Sequence, residues 1–182
     1  MSDYQVISSQ IDYTCPWFKV LKEKIVYPSG VKGTYYTLKK TNGFVGIIAI
    51  NQQQQLIVLR QWRPSLKDWL YEIPMGGIDE GETPLAAAQR EFLEESGYQA
   101  ENWLKLGELF VGAGHTDQPG YYFLASDLHK IENGEENNPR EIIQVHQFSL
   151  PEIDQMILSG QFQDGPSLSA LALYKVYNNK NK

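Results

Sequence analysis

The chain is poor in the features that would place it in several large classes. It has one cysteine, Cys15, among 182 residues, so no disulfide can form within the chain, and a lone thiol fits a reducing compartment. No basic run occurs, and 16 Lys and Arg against 22 Asp and Glu give a net charge of −6. That balance argues against unspecific nucleic-acid binding, although an acidic protein still binds anionic phosphates when a metal carries the positive charge. The longest apolar runs, around residues 45–50 and 56–59, fall far short of the ~20 residues that a bilayer requires. The opening MSDYQVISSQ lacks the basic segment and apolar stretch of a secretory signal. These absences lead us to expect a soluble, cytoplasmic protein with neither a membrane nor a nucleic acid as partner. No internal repeat is visible. A hydrophobic fraction of 42% is ordinary for a globular chain with a real core.

What the chain does have is concentrated at residues 76–98, GGIDEGETPLAAAQREFLEESGY. Thr83 is a natural N-cap, Pro84 suits the first helical position, and Leu85 to Ala88 favour helix. Gly97 is placed to close the helix in a left-handed turn. Leu85, Ala88 and Phe92 form one apolar stripe, and Ala86 with Leu93 a second, which predicts a helix packed between two layers. Glu91, Glu94 and Glu95 then fall at i, i+3 and i+4 and crowd one edge of that helix. Three like charges there cost stability unless something positive neutralises them, and a hard divalent cation prefers such carboxylate oxygens. Upstream, Gly76 and Gly77 permit tight turning and close approach.

Elsewhere alternation and turn residues predict strands over residues 17–27 and 32–40, joined at Pro28-Ser29-Gly30, then over 44–50, 56–61 and 69–73. Asn42-Gly43 reads as a turn, and the glutamine run 52–55 as a polar hairpin loop. Beyond the helix, strands are expected over 103–111, 121–125 and 141–149, a polar loop over 133–140, and helices over 151–159 and 166–177. Strands surrounding a few helices define an α+β protein.

The box at residues 76–98 matches the Nudix signature at every fixed position: Gly76, Glu82, Arg90, Glu91, Phe92, Glu94, Glu95, Gly97 and Tyr98. Phe92 and Tyr98 are aromatic where that family usually carries aliphatics. The resemblance extends further. Leu59-Arg60-Gln61-Trp62-Arg63-Pro64 resembles a strand end of the ADP-ribose and nucleoside diphosphate sugar pyrophosphatase subgroup. Trp69-Leu70-Tyr71-Glu72-Ile73-Pro74-Met75 resembles the stretch that leads into its box.

The resemblance implies an α/β/α sandwich with a mixed sheet and the box helix between sheets. It also implies N-terminal antiparallel strands that commonly build a homodimer. We therefore expect a β extension over residues 1–42 and a hydrolase domain over 43–182.

The implied reaction is Mg²⁺-dependent hydrolysis of a nucleoside diphosphate sugar, with Mn²⁺ as a substitute. Glu91, Glu95 and Glu94 are the implied metal ligands, joined by the main-chain carbonyl of Met75, with Arg90 orienting them through Glu82 or a liganding glutamate. Glu141, within a segment similar to the subgroup's ExxxVH strand, is an implied ligand or general base, and Glu135 or Glu136 in the preceding loop an alternative base. Arg63 is a candidate phosphate contact through its planar fork, or else an ion-pair partner of Glu72 or Asp68. Glu72 joins it as a candidate substrate contact. Trp17, Phe18 and Tyr27 offer stacking surfaces for base or sugar, and each also suits a core or an interface. His115, in a glycine loop, is a candidate phosphate or sugar contact, or a hydrogen-bonded loop residue.

One departure bears on substrate. ADP-ribose-specific members usually carry a proline about fifteen residues past the box, where this chain reads Val111-Gly112-Ala113-Gly114-His115, with no proline before Pro119. GDP-mannose and other nucleotide sugars therefore stand beside ADP-ribose. Two other readings are a non-catalytic nucleotide-sugar sensor and a nucleoside triphosphate sanitising enzyme. The intact glutamates weigh against the first and the N-terminal strands against the second.

Overall fold

The computed structural model describes residues 3–40, 42–131 and 143–180. It is an α+β sandwich of ten strands and three helices among those residues. Three strands come first: β1 (Gln5–Thr14), β2 (Lys19–Val26) and β3 (Lys32–Lys39), an antiparallel sheet in that order. Strand β1 was not expected from the sequence. Its apolar residues, Val6, Ile7, Ile11 and Tyr13, are all more than half exposed, so no burial pattern marks it. The strand expected from residue 17 begins instead at Lys19, after a turn in which the Cys15 N–H donates to the Phe18 carbonyl at 3.0 Å.

The core begins with β4 (Phe44–Ala49), followed by β5 (Gln55–Arg63), β6 (Asp68–Glu72) and β7 (Met75–Gly77). Then come α1 (Pro84–Ser96), β8 (Tyr98–Leu109), β9 (Gly120–Lys130), β10 (Ile143–Ser149), α2 (Leu150–Leu158) and α3 (Gly165–Lys180). One sheet has the order β7-β4-β9-β8, with β4 parallel to β9 and antiparallel to β7. A second has the order β10-β5-β6, antiparallel throughout.

Strand β4 explains the layering. Val45, Ile47 and Ala49 point to one side and pack with Ala87, Ala88 and Phe92 of α1. Ile48, and Ile50 just past the strand, point to the other and pack with Ile153 and Met156 of α2 and Leu171 and Tyr174 of α3. A strand covered on both faces needs apolar residues at both parities, which is why this stretch reads VGIIAI. Strand β5 repeats the device: Leu56 and Val58 join the α2–α3 side, and Ile57 joins α1. The box helix therefore touches residues of both sheets from its buried face.

Two expectations need adjustment. The buried stripe of α1 is Ala87, Ala88, Phe92 and Ser96, while Leu85 and Ala86 face outward, so the helix has one buried face and not two. Strand β8 starts at Tyr98, directly after the helix, because paired strands tolerate its mixed exposed and half-buried residues without a run of apolar ones.

Phe92 is fully buried, stacked near Tyr98 and edge-on to Trp103. Truncating it opens a cavity between the helix and both sheets. We expect Phe92→Ala to lower unfolding free energy by about 3–5 kcal/mol in urea titrations. A loss below about 1 kcal/mol would mean that the helix does not close this core.

Candidate active site

Helix α1 is fixed at both ends as its sequence requires. The Thr83 hydroxyl accepts the Ala86 N–H at 3.2 Å, Pro84 opens the helix, and Gly97 closes it at φ 71° with its N–H on the Leu93 carbonyl. Burial of Ala88 and Phe92 on one side sets the rotation of the helix, and the glutamates fall at the edge of that buried face.

Arg90 organises that edge. Its Nε donates to Glu82 Oε1 at 3.0 Å, and Nη2 donates to Glu82 Oε2 at 2.9 Å and to the Gly77 carbonyl at 3.0 Å. Nη1 donates to Glu91 Oε1 at 2.8 Å and to Glu94 Oε2 at 3.2 Å. A guanidinium carries five N–H donors, and all five have partners here. The hydrogen bonds to Glu82 come first among the influences that raise the Arg90 pKa further above its ordinary range. Burial opposes that rise, and Glu91 adds to it. Glu82 in turn is held below the ordinary carboxylate value of 4.5, first by Arg90 and then by the Asp79 N–H, at 3.1 Å from its Oε2. Both expected partners of Arg90, Glu82 and the box glutamates, are thus engaged at once.

Glu95 is held from another direction: its Oε2 accepts the Met75 N–H at 2.9 Å, where β7 begins. Gly76 follows, and a Cβ built there would lie 2.0 Å from the Glu91 carboxyl carbon. Only glycine lets this carboxylate lie against the strand. At Gly77 a Cβ would meet nothing within 4 Å, so the close-approach expectation holds for the first glycine of the pair alone. Among the described residues, no three acidic, His or Cys side chains converge tightly enough to hold a metal in this arrangement. Glu91, Glu94 and Glu95 nevertheless supply hard oxygen donors on one edge, beside the Met75 backbone. A carboxylate has about four lone-pair positions, so a bond to Arg90 is compatible with coordination.

The sequence left Arg63 between a phosphate contact and an ion pair with Glu72 or Asp68. The structure has the pair with Glu72, a two-pronged clamp with Nε on Oε1 at 2.6 Å and Nη2 on Oε2. Glu72 is 2% exposed, so the arginine supplies the hydrogen-bonded counter-charge that a buried carboxylate requires. That hydrogen bond is the first cause raising the Arg63 pKa, and Glu95 and Asp164 add to it electrostatically. Nearby, the fully buried Tyr122 hydroxyl makes no hydrogen bond among the described residues. Burial, and then Asp164, push its phenol up to about 12.

Trp17 is 76% exposed and lines a groove of about 470 Å³ with Pro16, Lys40, Asn42, Gly77 and Asp79. Gly77 belongs both to this groove and to the Arg90 network, so the groove is walled in part by the backbone that anchors Arg90. Phe18 is half-buried and lines a smaller hollow with Cys15, Lys39 and Lys40. The His115 side chain is exposed, and its carbonyl accepts the Leu38 N–H at 2.7 Å. Tyr35 donates to the Gly114 carbonyl at 2.5 Å and Lys39 pairs with Asp117 at 2.6 Å, so this loop is stitched to β3. Glu141, Glu135 and Glu136 lie outside the described residues. Sequence reasoning missed Asn42, whose amide donates to the Ile78 carbonyl at 2.8 Å, and the Gly77 carbonyl as an anchor for Arg90. Backbone partners leave no signal in side-chain spacing.

A NUDIX domain matches residues 41–171, and the chain belongs to the Nudix family. It is 28% identical over 149 residues to the ADP-ribose pyrophosphatase of Bacillus subtilis, covering 82% of this chain and 80% of that one. It is 26% identical over 176 residues to the ADP-ribose pyrophosphatase of Mycobacterium tuberculosis, covering 96% and 84%. A solved ADP compounds hydrolase shares the fold with a TM-score of 0.88 over 100% of this chain and 97% of that one, at 21% identity. These relatives carry the names of the subgroup that the stretches before the box resemble.

The Glu82–Arg90 pair has a pH signature. Because the folded state depresses the Glu82 pKa, its contribution is fully present above pH 4.5 and is lost as pH falls through the lower folded value. We expect Glu82→Gln to destabilise the protein at neutral pH and the gap from the parent to shrink in acid, measured by urea unfolding from about pH 7 to pH 3. A gap that stays constant across that range would remove Glu82 as the ionised partner of Arg90.

Proposed function

We propose that the protein hydrolyses the pyrophosphate bond of a nucleoside diphosphate sugar, giving a nucleoside monophosphate and a sugar phosphate by attack of water on phosphorus. The observation that carries this is the edge of Glu91, Glu94 and Glu95, the first two held by Arg90 and the third by the Met75 N–H, with Gly77, which anchors Arg90, lining the groove beside Trp17. The chemistry needs positioning and charge neutralisation more than covalent help.

Nudix hydrolases generally use divalent metals, and we assign Mg²⁺, with Mn²⁺ as a substitute, to Glu91, Glu95, Glu94 and the Met75 carbonyl. The bound cation supplies polarisation of phosphate oxygens and activation of water. Arg90 orients Glu91 and Glu94 through its hydrogen bonds. Arg63, fixed by Glu72, grips a phosphate, which makes Glu72 a substrate contact only through the arginine. Trp17 and Phe18 flank the base or terminal sugar, and His115, in the loop before β9, is a further phosphate or sugar contact. Glu141 is the further ligand or general base, with Glu136 as the loop alternative.

The relatives' names support ADP-ribose as substrate, and the missing proline after the box keeps GDP-mannose and similar compounds beside it. We also propose that residues 1–42 form a dimerising extension ahead of the hydrolase domain at 43–182. Exposed Tyr4, Val6, Ile7, Ile11 and Tyr13 on β1 and its approach make an apolar surface of the kind a second copy covers.

The first test offers ADP-ribose, GDP-mannose, UDP-glucose, dinucleotides and dNTPs with and without Mg²⁺, then repeats the best substrate with Glu95→Gln. Turnover of diphosphate sugars, abolished by EDTA and lowered by more than about 100-fold in the variant, is expected. No turnover of any compound by folded protein would favour a sensor, and full activity of the variant would remove Glu95 from the metal.

Sedimentation of the full chain should give twice its 20.8 kDa mass. A monomer at micromolar concentration would sink the dimer assignment.

A further inference from the structure

The four residues across the β6–β7 junction, Glu72-Ile73-Pro74-Met75, connect both halves of the candidate site. Glu72 clamps Arg63, and Met75 holds Glu95. This short stretch is pinned from several directions. The Ile47 N–H donates to the Pro74 carbonyl at 2.9 Å, and Met75 pairs with Gly46 across the sheet. The remaining contact comes from the far side of the core. The Ile73 N–H donates to Ser167 Oγ at 3.0 Å, with both residues fully buried.

Ser167 is itself aimed. Its hydroxyl has one proton and gives it to Asp164 Oδ2 at 2.6 Å, so the lone pairs are what face Ile73. Asp164 stands at the N-terminus of α3, where Oδ2 also accepts the Ser167 N–H at 2.9 Å and its carbonyl accepts the Leu168 N–H at 3.0 Å. Capping is complete with those backbone bonds. The Ser167 hydroxyl braces the capping carboxylate but satisfies no helix N–H. What it satisfies is a buried N–H two residues before Met75, which would otherwise lose its partner in a dry core.

We infer that the Asp164–Ser167 pair is a positioning device for the metal site, setting the Met75 backbone, and through it Glu95, from the opposite face of the molecule. Ser167 touches neither substrate nor metal. It acts through Ile73 and Met75, and this role rests on the hydrolase reading above. The sequence signal, an aspartate three residues before a serine across Gly165-Pro166, reads as an ordinary helix start, which hides the second use of the hydroxyl.

The test compares the full-length protein with Ser167→Ala, Ser167→Thr, Asp164→Ala and a buried α3 control, Ala170→Gly. Mn²⁺ affinity is read by calorimetry well below each melting temperature, alongside kcat and KM. We expect Ser167→Ala to weaken Mn²⁺ binding and lower kcat by about 10-fold or more, with KM little changed. Ser167→Thr, which keeps the hydroxyl, should stay near the parent, and Asp164→Ala should weaken Mn²⁺ in the same direction as Ser167→Ala. Ala170→Gly should lose stability without losing Mn²⁺ affinity. Parent-like Mn²⁺ binding in Ser167→Ala, or an equal loss in the Ala170→Gly control, overturns the inference. If Ser167→Ala does not fold, parent-like Mn²⁺ binding in Asp164→Ala overturns it instead. A folded parent that neither binds Mn²⁺ nor hydrolyses a nucleotide sugar overturns the hydrolase reading as well. An active parent with an equally active Ser167→Ala overturns this inference alone.

Discussion

Concentrated negative charge is the constraint around which this molecule is arranged. Glu91, Glu94 and Glu95 share one helix edge, and Glu82 is drawn to the same point. Carboxylates so close repel one another unless a positive group stands between them. Arg90 is that group, and its planar fork matters as much as its charge. A lysine would bring three donors from one point, whereas the guanidinium spreads five over an arc and meets Glu82, Glu91, Glu94 and the Gly77 carbonyl together. The arginine ties the helix to the loop before it, so the charged edge and the backbone that must approach it form one unit.

That unit needs a strand running close beneath the helix, and the rest of the fold supplies it. Glycine at position 76 removes the side chain that would strike Glu91. Strand β4 pairs with β7 and carries apolar residues of both parities, so it is gripped by α1 on one side and by α3 on the other. Burial on both faces leaves β4 little freedom to slide, because a one-residue slip would exchange its two sets of side chains. A rigid central strand is what allows weak individual contacts at the site to hold carboxylates in fixed places. The buried Arg63–Glu72 pair has a similar logic: its net stabilisation is small, but it orients a cation near Glu95 that a solvated arginine would not hold.

The box was legible in the sequence because its constraints are local. Cap, proline, apolar stripe, glutamate spacing and terminal glycine all lie within one helix and its approach, where periodicity converts directly into geometry. Gly76 could be read as a close-approach position, while its partner Glu91 could be known only once the strand was placed against the helix. Strand β1 left no trace, since its exposed apolar residues carry no alternation against a core within this chain. Arg63 shows the limit from another side: Glu72 was among its foreseeable partners, but choosing the pair required the antiparallel register of β5 and β6. Ser167 was illegible for a similar reason. Its hydroxyl meets Ile73 across 94 positions of sequence, and no spacing rule reaches that far.

The carboxylate edge and the groove rest on differently buried parts of the fold. The carboxylate edge rests on buried elements, but the groove beside it is walled by Trp17 and Lys40 from the N-terminal segment and by Gln118 from the loop before β9. That loop reaches β3 through main-chain and surface contacts: Leu38 to His115, Tyr35 to Gly114, Lys39 to Asp117. Exposed pairs of this kind contribute little stability each. Changing them would reshape the groove without disturbing β4 or α1. What can vary is thus separated from what cannot, at the boundary between the core sandwich and the three leading strands.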